Sequence, residues 1–313
     1  MTAVTLPASV KVIVRDWLCC NQVLLSSADG DVLIDSGHVT RAAETIELLR
    51  RPGHLGNRPL TRLINTHGHS DHIGGNAALK RAYGCPITVP SGEAAHIRAW
   101  DTRALWLDWA GQQAERFDFD DTLTPGETFG AGGLLWQALP APGHDAGAVM
   151  FWCADEGILV SGDALWEHGF GIVLPDPPGG LEAARSTLER IAALDLRVVI
   201  PGHGRPFPDA RQALERSFAR LQAMQSDSRR AARSVLKAMF SFTLLERGRI
   251  PLDTVSDWLQ GVPMYREYNE RYLQLPPGDL AQWLIGELEK ARVVRREGHW
   301  LVSADKAGAA DHA

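Results

Sequence analysis

The chain has 313 residues, of which 45% are hydrophobic, and a formal net charge of −6. This length predicts one large or two unequal domains with a substantial core. The chain has no apolar run near the roughly 20 residues of a membrane span and no signal-peptide pattern at its start, so the sequence indicates a cytoplasmic protein without a membrane partner.

Strands and helices alternate through the first 90 residues. A helix at 40–50 is predicted to begin at Thr40 as its cap and to end before Pro52, and a second helix covers 74–83. A turn at 28–30 joins two of the strands into a hairpin. The predicted strands are 10–14, 22–26, 31–35 and 60–65.

The middle of the chain continues the alternation around two unusual segments. The tryptophan-rich segment 91–119 is predicted to be helical. The segment 169–180 is rich in glycine and proline, and no helix or strand is expected to persist through it. The other predicted elements are the strands 134–139, 149–153, 157–160 and 197–200 and the helix 181–193.

The sequence changes character after the strand at 197–200. Residues 1–210 are net acidic, whereas residues 211–303 are net basic. The region after the linker is predicted to contain two amphipathic helices and a hairpin at 293–302, with its turn at Glu297-Gly298. The predicted units are a catalytic domain at 1–208, a linker helix at 209–233, a winged-helix-like domain at 234–303 and a flexible tail at 304–313.

The four cysteines do not form a recognisable metal or disulfide motif. Cys19 and Cys20 are adjacent, Cys85 and Cys153 stand alone, and no Cys-x-x-Cys pair occurs. We therefore expect reduced, buried thiols, which agrees with a cytoplasmic location.

Residues 66–72 read Thr-His-Gly-His-Ser-Asp-His and are dense in metal-binding side chains. Imidazole and carboxylate groups together suit a divalent ion such as zinc. In an extended loop, His72 would point away from the other three, so one segment would serve two adjacent metals. The candidate ligands are His67, His69, Asp71 and His72.

Three later positions supply further candidate ligands. His144 lies in Pro-Gly-His-Asp, Asp163 in Ser-Gly-Asp-Ala and His203 in Pro-Gly-His-Gly. Each follows a short apolar stretch and a glycine, which is the pattern of buried strands that end in tight turns. A ligand just past a strand end is positioned by a rigid element and faces a cleft.

Taken in order, these motifs resemble those of the metallo-β-lactamase superfamily of hydrolases. The resemblance covers roughly residues 10–208. It implies an α/β fold, a four-layer αββα sandwich followed by a smaller C-terminal helical domain, and two divalent metal ions, most simply zinc. One metal would take His67, His69 and His144, the second would take Asp71, His72 and His203, and Asp163 would bridge them.

The resemblance also implies roles for residues around the metals. Asp71 and Asp163 are the candidate catalytic residues, and Asp71 would orient a metal-bridging hydroxide without being the general base. Asp35, at a strand end, would orient a ligand histidine. His168, five residues after Asp163, would either have a substrate or proton-transfer role at the rim of the cleft or be a solvated loop residue. The same two roles are open for His38, which follows the Asp35 turn.

Two segments would border the cleft in such a protein. The segment 91–119 would form one wall, or else a cover helix over the sheet. The segment 169–180, next to Asp163, would be either a substrate-selecting loop or a plain connector.

The predicted reaction is hydrolysis of a small thioester, ester or lactone. His69 stands where the redox branch of the superfamily usually has glutamate, which favours hydrolysis. Residues 165–170, which follow Asp163 and Ala164, read Leu-Trp-Glu-His-Gly-Phe. This does not match the basic, glutathione-recognising pattern of glyoxalase II, so a glutathione thioester is disfavoured, while an acyl-CoA thioester or another ester or lactone stays open.

The C-terminal domain suggests an alternative function. Helices followed by a hairpin resemble the winged helix of the β-lactamase-like 2 group, which includes endoribonucleases. A metal-dependent endoribonuclease would use this domain to guide RNA. Glutamates among its arginines make nucleic acid the less favoured partner, and the domain would otherwise pack beside the active site or form a homodimer. The arginines are Arg229, Arg230, Arg233, Arg292, Arg295 and Arg296.

Overall fold

Two β-sheets pack face to face in the computed structural model, which describes residues 4–175 and 180–304. The first sheet contains, in spatial order, β1 (Val10–Ile13), β2 (Gln22–Ser27), β3 (Gly30–Ile34), β4 (Arg62–Ile64), β5 (Ile87–Pro90) and β6 (Asp121–Leu123). The second contains, in spatial order, β11 (Val198–Pro201), β10 (Ile158–Gly162), β9 (Val149–Cys153), β8 (Leu134–Pro140) and β7 (Thr128–Ala131). The first sheet is parallel from β3 to β6, and in the second only β10 and β11 are parallel.

Helices cover the outer face of each sheet. Leu49 and Leu79 pack with Leu33 over the first sheet, and Leu188 and Leu221 pack over the second. The four layers are therefore αββα, as the resemblance implied. The helices are α1 (Ala42–Arg50), α2 (Ser70–Ile73), α3 (Asn76–Tyr83) and α4 (Ala94–Ala99) on the first sheet, and α5 (Gly180–Ala192) and α6 (Ala210–Ser226) on the second.

Side chains from both sheets form the central core. Successive side chains of a strand point to opposite faces, so Val23 and Leu25 of β2 enter the core between the sheets while Leu24 packs under the outer helices. Trp136 of β8 is 0% exposed in this core, and its Nε1 donates to the carbonyl of Ala131 at 3.1 Å. The strand ends therefore rest on a packed and immobile support.

A separate helical unit follows the sandwich. It has its own core, which includes Leu236, Phe240, Leu284 and Leu301, and a sheet with the order β12-β14-β13. Helices followed by a hairpin agree with the predicted element types, while the winged-helix assignment and the domain boundaries stay predictions. The elements are α7 (Ser228–Arg247), β12 (Arg249–Pro251), α8 (Val255–Gly261), α9 (Pro263–Tyr268), α10 (Pro277–Lys290), β13 (Val294–Glu297) and β14 (Trp300–Ser303).

The tryptophan-rich segment connects the sandwich to this unit. Trp109 packs into the C-terminal core, and its Nε1 donates to Glu267 Oε2 at 2.9 Å. Arg103 donates to both oxygens of the same carboxylate, at 3.0 and 2.9 Å. The backbone N–H of Met264 donates to the Trp109 carbonyl at 2.9 Å. The C-terminal unit is thereby attached to one flank of the sandwich.

The helical prediction for residues 91–119 is wrong beyond α4. Trp100, with φ of +53°, ends α4 in a left-handed conformation, and Trp106 has φ of +55°. Turns follow at 102–111, and residues 112–119 have irregular backbone. Its tryptophans are fixed by packing against two different cores, and a regular helix would not direct them to both.

Two other helices differ from their predictions. The predicted linker helix at 209–233 is two helices, because the Asp227 side chain accepts the N–H of Arg230 and begins α7. The helix predicted from Thr40 begins with a single 3₁₀ turn capped by the His38 side chain, and α1 follows it. Four strands of three or four residues each were not predicted: β5, β6, β7 and β12.

Further sequence-based expectations concern membranes and thiols. No helix within the described residues is long and apolar enough to cross a membrane. The four cysteines are free and buried, as expected. Residues 176–179 of the predicted loop and 305–313 of the predicted tail lie outside the described residues.

We predict that Trp136→Ala lowers the free energy of unfolding by about 3–5 kcal/mol, because it leaves a large cavity between the sheets. Leu135→Ala is the matched control, since Leu135 is the neighbouring residue and is 59% exposed; it should change stability by no more than about 0.5 kcal/mol. Urea denaturation of both variants checks this, and equal midpoints would contradict the assignment of Trp136 to the core.

Candidate metal centre

The seven predicted ligands converge at one edge of the sandwich. The structure brings them together because each follows a strand end and those ends meet at this edge. His67 and His69 follow β4, and Asp71 and His72 lie in the adjoining α2. His144 lies between β8 and β9, Asp163 follows β10, and His203 follows β11.

Residues 66–72 change conformation halfway along the motif. His69 is extended, with φ of −77° and ψ of 155°, and it precedes the single helical turn of α2. The expectation of a wholly extended loop is therefore wrong for Asp71 and His72. Residues on a helix are rotated by about 100° from one to the next, and this turn directs Asp71 and His72 to a different place from His67 and His69.

The ligand atoms form two adjacent groups. Within each group the candidate nitrogen and oxygen atoms all lie within 4.8 Å of one another. Asp163 belongs to the second group but faces both. Its Oδ2 lies 3.4 Å from His144 Nε2, and its Oδ1 lies 3.4 Å from His72 Nε2. The groups are His67, His69 and His144, and Asp71, His72, Asp163 and His203.

In a histidine ring, a hydrogen bond from one nitrogen to the surrounding protein indicates that the other nitrogen faces the ligand group as an acceptor. His144 Nδ1 lies 2.6 Å from the Ile172 carbonyl and must donate to it, which leaves Nε2 as a lone pair. His69 Nδ1 lies 2.8 Å from this Nε2. This is an ordinary hydrogen-bond distance, so the two ring nitrogens face the same point.

Several inward atoms are buried without a hydrogen-bond partner. Among the described residues, Nε2 of His67 and of His72 belong to this class. Unpaired buried polar atoms are costly, and imidazole nitrogens with carboxylates on either side match the ligands of divalent zinc-like ions. The residues present therefore fit a binuclear divalent metal site.

Asp35 lies behind His72 as predicted. Its Oδ2 accepts from His72 Nδ1 at 2.9 Å, and its two oxygens also accept from the backbone and hydroxyl of Thr66 at 2.8 Å each. Asp35 has φ of +61°, an uncommon backbone conformation for a residue with a side chain. The strained backbone and the three hydrogen bonds fix the His72 ring with Nε2 toward the second group.

Electrostatics favour the metal-binding protonation state for several candidate ligands, whereas the pKa of His72 is raised well above its usual range because Cys20, Asp71 and Asp35 outweigh burial. Burial alone would raise the pKa of Asp71, but His72 and His203 lower it to about 2. Asp163 has a pKa well below its usual range, because His203 and His72 outweigh burial. Burial, together with neighbouring His72 and His69, lowers the pKa of His67. Ionised carboxylates and a neutral imidazole are the forms that bind metals.

Two glycines make room for the bridging carboxylate. A Cβ on Gly171 would lie 2.8 Å from the Asp163 Cβ and 2.9 Å from His144 Nδ1, and a Cβ on Gly202 would collide with Asp163 Oδ1. Side chains at either position would displace Asp163, so these turns require glycine.

Three tryptophans surround the centre, and sequence reasoning gave Trp17 and Trp166 no role. The Trp106 ring lies 4.2 Å from the His69 ring, and Trp17 stacks parallel to His203 at 5.4 Å. Trp166 Nε1 donates to Asp163 Oδ1 at 3.2 Å. The only sequence signal was the position of Trp166 after Asp163; nothing local marks Trp17. Trp106 makes segment 91–119 a wall of the cleft.

His168 and His38 lie outside the two ligand groups. His168 is exposed, and its Nδ1 lies 3.1 Å from Arg216 Nη1. His38 is buried, with its Nε2 at 4.0 Å from the Glu246 carboxylate of α7. His168 therefore contacts α6 and His38 contacts α7, and neither belongs to a ligand group.

We expect the protein as purified to contain close to two divalent ions per chain, and Asp163→Ala to contain at most one, because Asp163 faces both groups. Metal analysis of the dialysed proteins measures this. His168→Ala is the control, being exposed and outside the ligand groups, and should retain two. An Asp163→Ala protein with two tightly bound ions would contradict the bridging role.

Asp35→Asn should weaken binding of the ion at the second ligand group by about 10- to 100-fold, because loss of the carboxylate frees the His72 ring. Competition with a chromogenic chelator gives the dissociation constants. An unchanged affinity in a folded variant would show that Asp35 does not orient His72.

Comparisons with known proteins agree with this geometry. The metallo-beta-lactamase superfamily model matches residues 15–203. A hydroxyacylglutathione hydrolase from Methylococcus capsulatus is 28% identical over 67% of this chain and 78% of its own length. Another, from Rhodospirillum rubrum, is 28% identical over 55% of this chain, and the match spans only 61% of that protein.

A solved structure shows the same fold over nearly the whole chain. It is a metallo-beta-lactamase family protein from Thermus thermophilus, with 23% identity, a TM-score of 0.57, and coverage of 96% of this chain and 100% of that one. The family match and the relatives indicate a metal-dependent hydrolase. The chain belongs to the metallo-beta-lactamase superfamily.

Proposed function

We propose that this protein is a zinc-dependent hydrolase of thioesters, with esters and lactones as related substrates. The observation that supports this most directly is the Asp163 carboxylate, whose two oxygens face the two ligand groups beneath an open cleft. The relatives named hydroxyacylglutathione hydrolase support a thioester. The mixture of imidazole and carboxylate ligands favours zinc.

The metal ions, when bound, would lower the pKa of a water molecule and polarise the substrate carbonyl. The side chains of this chain orient the centre. Trp166 donates to Asp163 Oδ1 and limits its rotation, and Asp35 fixes His72. Trp106 and Trp17 cover His69 and His203 and restrict the access of bulk water.

Direct attack by water is favoured over a covalent intermediate on cysteine. Burial raises the pKa of Cys19 to about 12 and that of Cys20 to about 11. Both remain thiols near neutral pH, and thiols are poor nucleophiles compared with thiolates. The ligand set is therefore the part of the described structure suited to activating the nucleophile.

The thiol part of the substrate is not assigned to glutathione. The residues after Asp163 that border the cleft are Trp166 and Phe170 rather than basic side chains. The relatives' names describe those proteins. An acyl-CoA thioester remains compatible with this wall.

The endoribonuclease alternative receives little support from the contacts of the C-terminal unit. Arg295 is paired with Glu297, and Arg296 with Glu289. These pairs reduce the positive charge available to a phosphate backbone. Nucleic-acid binding stays a prediction, as does a homodimer.

Hydrolysis of a thioester panel should be lost in the presence of a strong chelator and restored by added zinc, because the proposed nucleophile requires the metals. Asp163→Ala should lower kcat/KM by about 10³-fold or more, whereas His168→Ala should stay within about two-fold of the unaltered protein.

The same assay should include lactones and single-stranded RNA. Chelator-sensitive RNA cleavage that weakens at raised salt, without thioester hydrolysis, would replace this proposal with the endoribonuclease. If the chelator left the activity toward every one of these substrates unchanged, both the thioester hydrolase and the endoribonuclease would be contradicted.

A further inference from the structure

The cleft above the ligand groups is larger than a small acyl group requires. It has a volume of about 790 Å³ and extends from His69, Asp71 and His203 to the C-terminal unit. Volumes of this size accommodate drug-sized molecules. The cleft is therefore built for a substrate with an extended part beyond the scissile bond.

One face of α7 forms an apolar wall of this cleft. Ala238, Ser241, Phe242 and Leu245 line it at the i, i+3, i+4, i+7 spacing of a single helical face. The other side of α7 packs into the C-terminal core through residues such as Phe240. Ala238 is exposed, and Phe242 and Leu245 are partly exposed, so this stripe presents apolar surface to the cleft.

The opposite end of the C-terminal unit adds a second apolar contact. Val293, between α10 and β13, lines the cleft and is 39% exposed. It is one of three strongly exposed large hydrophobic residues among those that the structure describes. Apolar side chains from α7 and from the segment between α10 and β13 therefore both line the cleft.

Arg220 of α6 supplies positive charge in the same cleft. Its Nη1 donates to the Phe170 carbonyl at 2.9 Å, and its guanidinium lies 4.5 Å from the centre of the Phe170 ring. Within the described residues Arg220 has no carboxylate partner. It is exposed and lines the cleft. The surrounding protein lowers its pKa by burial. The remaining N–H groups are fixed in position and open to an anion.

Arg292 lines the cleft on the side of Val293. It has φ of +58°, and no ion pair holds its side chain in the part of the chain described here. Two arginines without carboxylate partners thus border a cleft whose other walls are mostly apolar.

We propose that the substrate is an amphipathic acyl thioester or ester, with an extended apolar chain that lies on the Ala238–Phe242–Leu245 stripe and an anionic group that pairs with Arg220. This rests on the proposed hydrolytic function and specifies its substrate class. The anion is either a phosphate, as in coenzyme A, or a carboxylate, as in glutathione. Both can accept hydrogen bonds from the guanidinium of Arg220.

The length of the substrate's acyl chain tests whether the apolar wall binds it. With saturated acyl-CoA substrates from two to twelve carbons, kcat/KM should rise by up to about four-fold per methylene, the equivalent of about 0.8 kcal/mol, until the stripe is covered. Ala238→Glu places a charge on an already exposed position and should lower the long-to-short ratio by about 10-fold or more. Leu245→Ser should lower the same ratio.

Ser234→Glu is the matched control, since Ser234 lies one turn earlier on α7, is exposed and does not line the cleft. It should leave the chain-length profile unchanged. A flat profile in the unaltered protein, or an Ala238→Glu profile equal to that of Ser234→Glu, would overturn the apolar part of the proposal.

Substrate charge tests Arg220. The same acyl group is presented on coenzyme A, on glutathione and on the neutral thiol N-acetylcysteamine. Arg220→Gln should lower the anionic-to-neutral ratio of kcat/KM by about 10-fold or more, mainly through KM, and Arg220→Lys should recover part of it. Arg211→Gln, on the same helix and largely exposed, is the control. An unchanged ratio in Arg220→Gln would exclude this residue as the anion site.

Binding of a non-hydrolysable S-decyl thioether of coenzyme A separates this proposal from the hydrolytic one. Fluorescence of the tryptophans in the cleft reports the dissociation constant without turnover. Tight binding that Ala238→Glu weakens, in a protein that hydrolyses none of the thioesters, would retain the cleft assignment and reject the proposed function. Hydrolysis of thioesters without a preference for acyl-chain length or for substrate charge would retain the proposed function and reject the cleft assignment.

Discussion

The carboxylate of Asp163, shared between two clusters of ligands, is the constraint on which the site depends. Asp71 and Asp163 are both buried, and buried carboxylates destabilise a protein unless opposite charge is close. The histidines around them supply only part of that charge, because His67 and His69 have lowered pKa values. Two divalent cations would offset the remainder. The centre is therefore built to be stable with metal bound.

The fold meets this constraint by using strand ends. The strands β4, β10 and β11 end at the same edge, and glycines at 171 and 202 leave space around Asp163. The packing of Trp136 and its neighbours between the sheets keeps those ends fixed relative to one another. A shift of either sheet would separate the two oxygens of Asp163 from one of their ligand groups.

The convergence of the candidate ligands was predictable from sequence because their chemistry belongs to the residue types and because glycine turns after apolar runs mark strand ends, whereas their role as metal ligands stays a prediction. The helical turn at Asp71 and His72 was not, since a four-residue helix has almost no periodicity to detect. Trp17 reaches His203 from far along the chain, and such a contact requires the three-dimensional fold. The helical prediction for 91–119 failed because the chain follows irregular turns there, with left-handed backbone at Trp100 and Trp106, and its tryptophans pack against two different cores. The break at Asp227 was detectable as a helix cap.

The proposed substrate class depends on the C-terminal unit. The superfamily ligand set explains the reaction class, and it is common to enzymes with unlike substrates. The C-terminal unit supplies part of the cleft walls, since α7 and the residues after α10 line the cleft together with the ligand groups. Attachment of this unit through Glu267 to Trp109 and Arg103 keeps those walls in place.

The bridging role of Asp163 is the central claim, and anomalous X-ray diffraction at the zinc absorption edge tests it most directly. Crystals of the zinc-loaded protein should show two anomalous peaks, one beside each oxygen of Asp163, with His144 at the first and His72 at the second. A single peak, or two peaks with both Asp163 oxygens on one ion, would contradict the account.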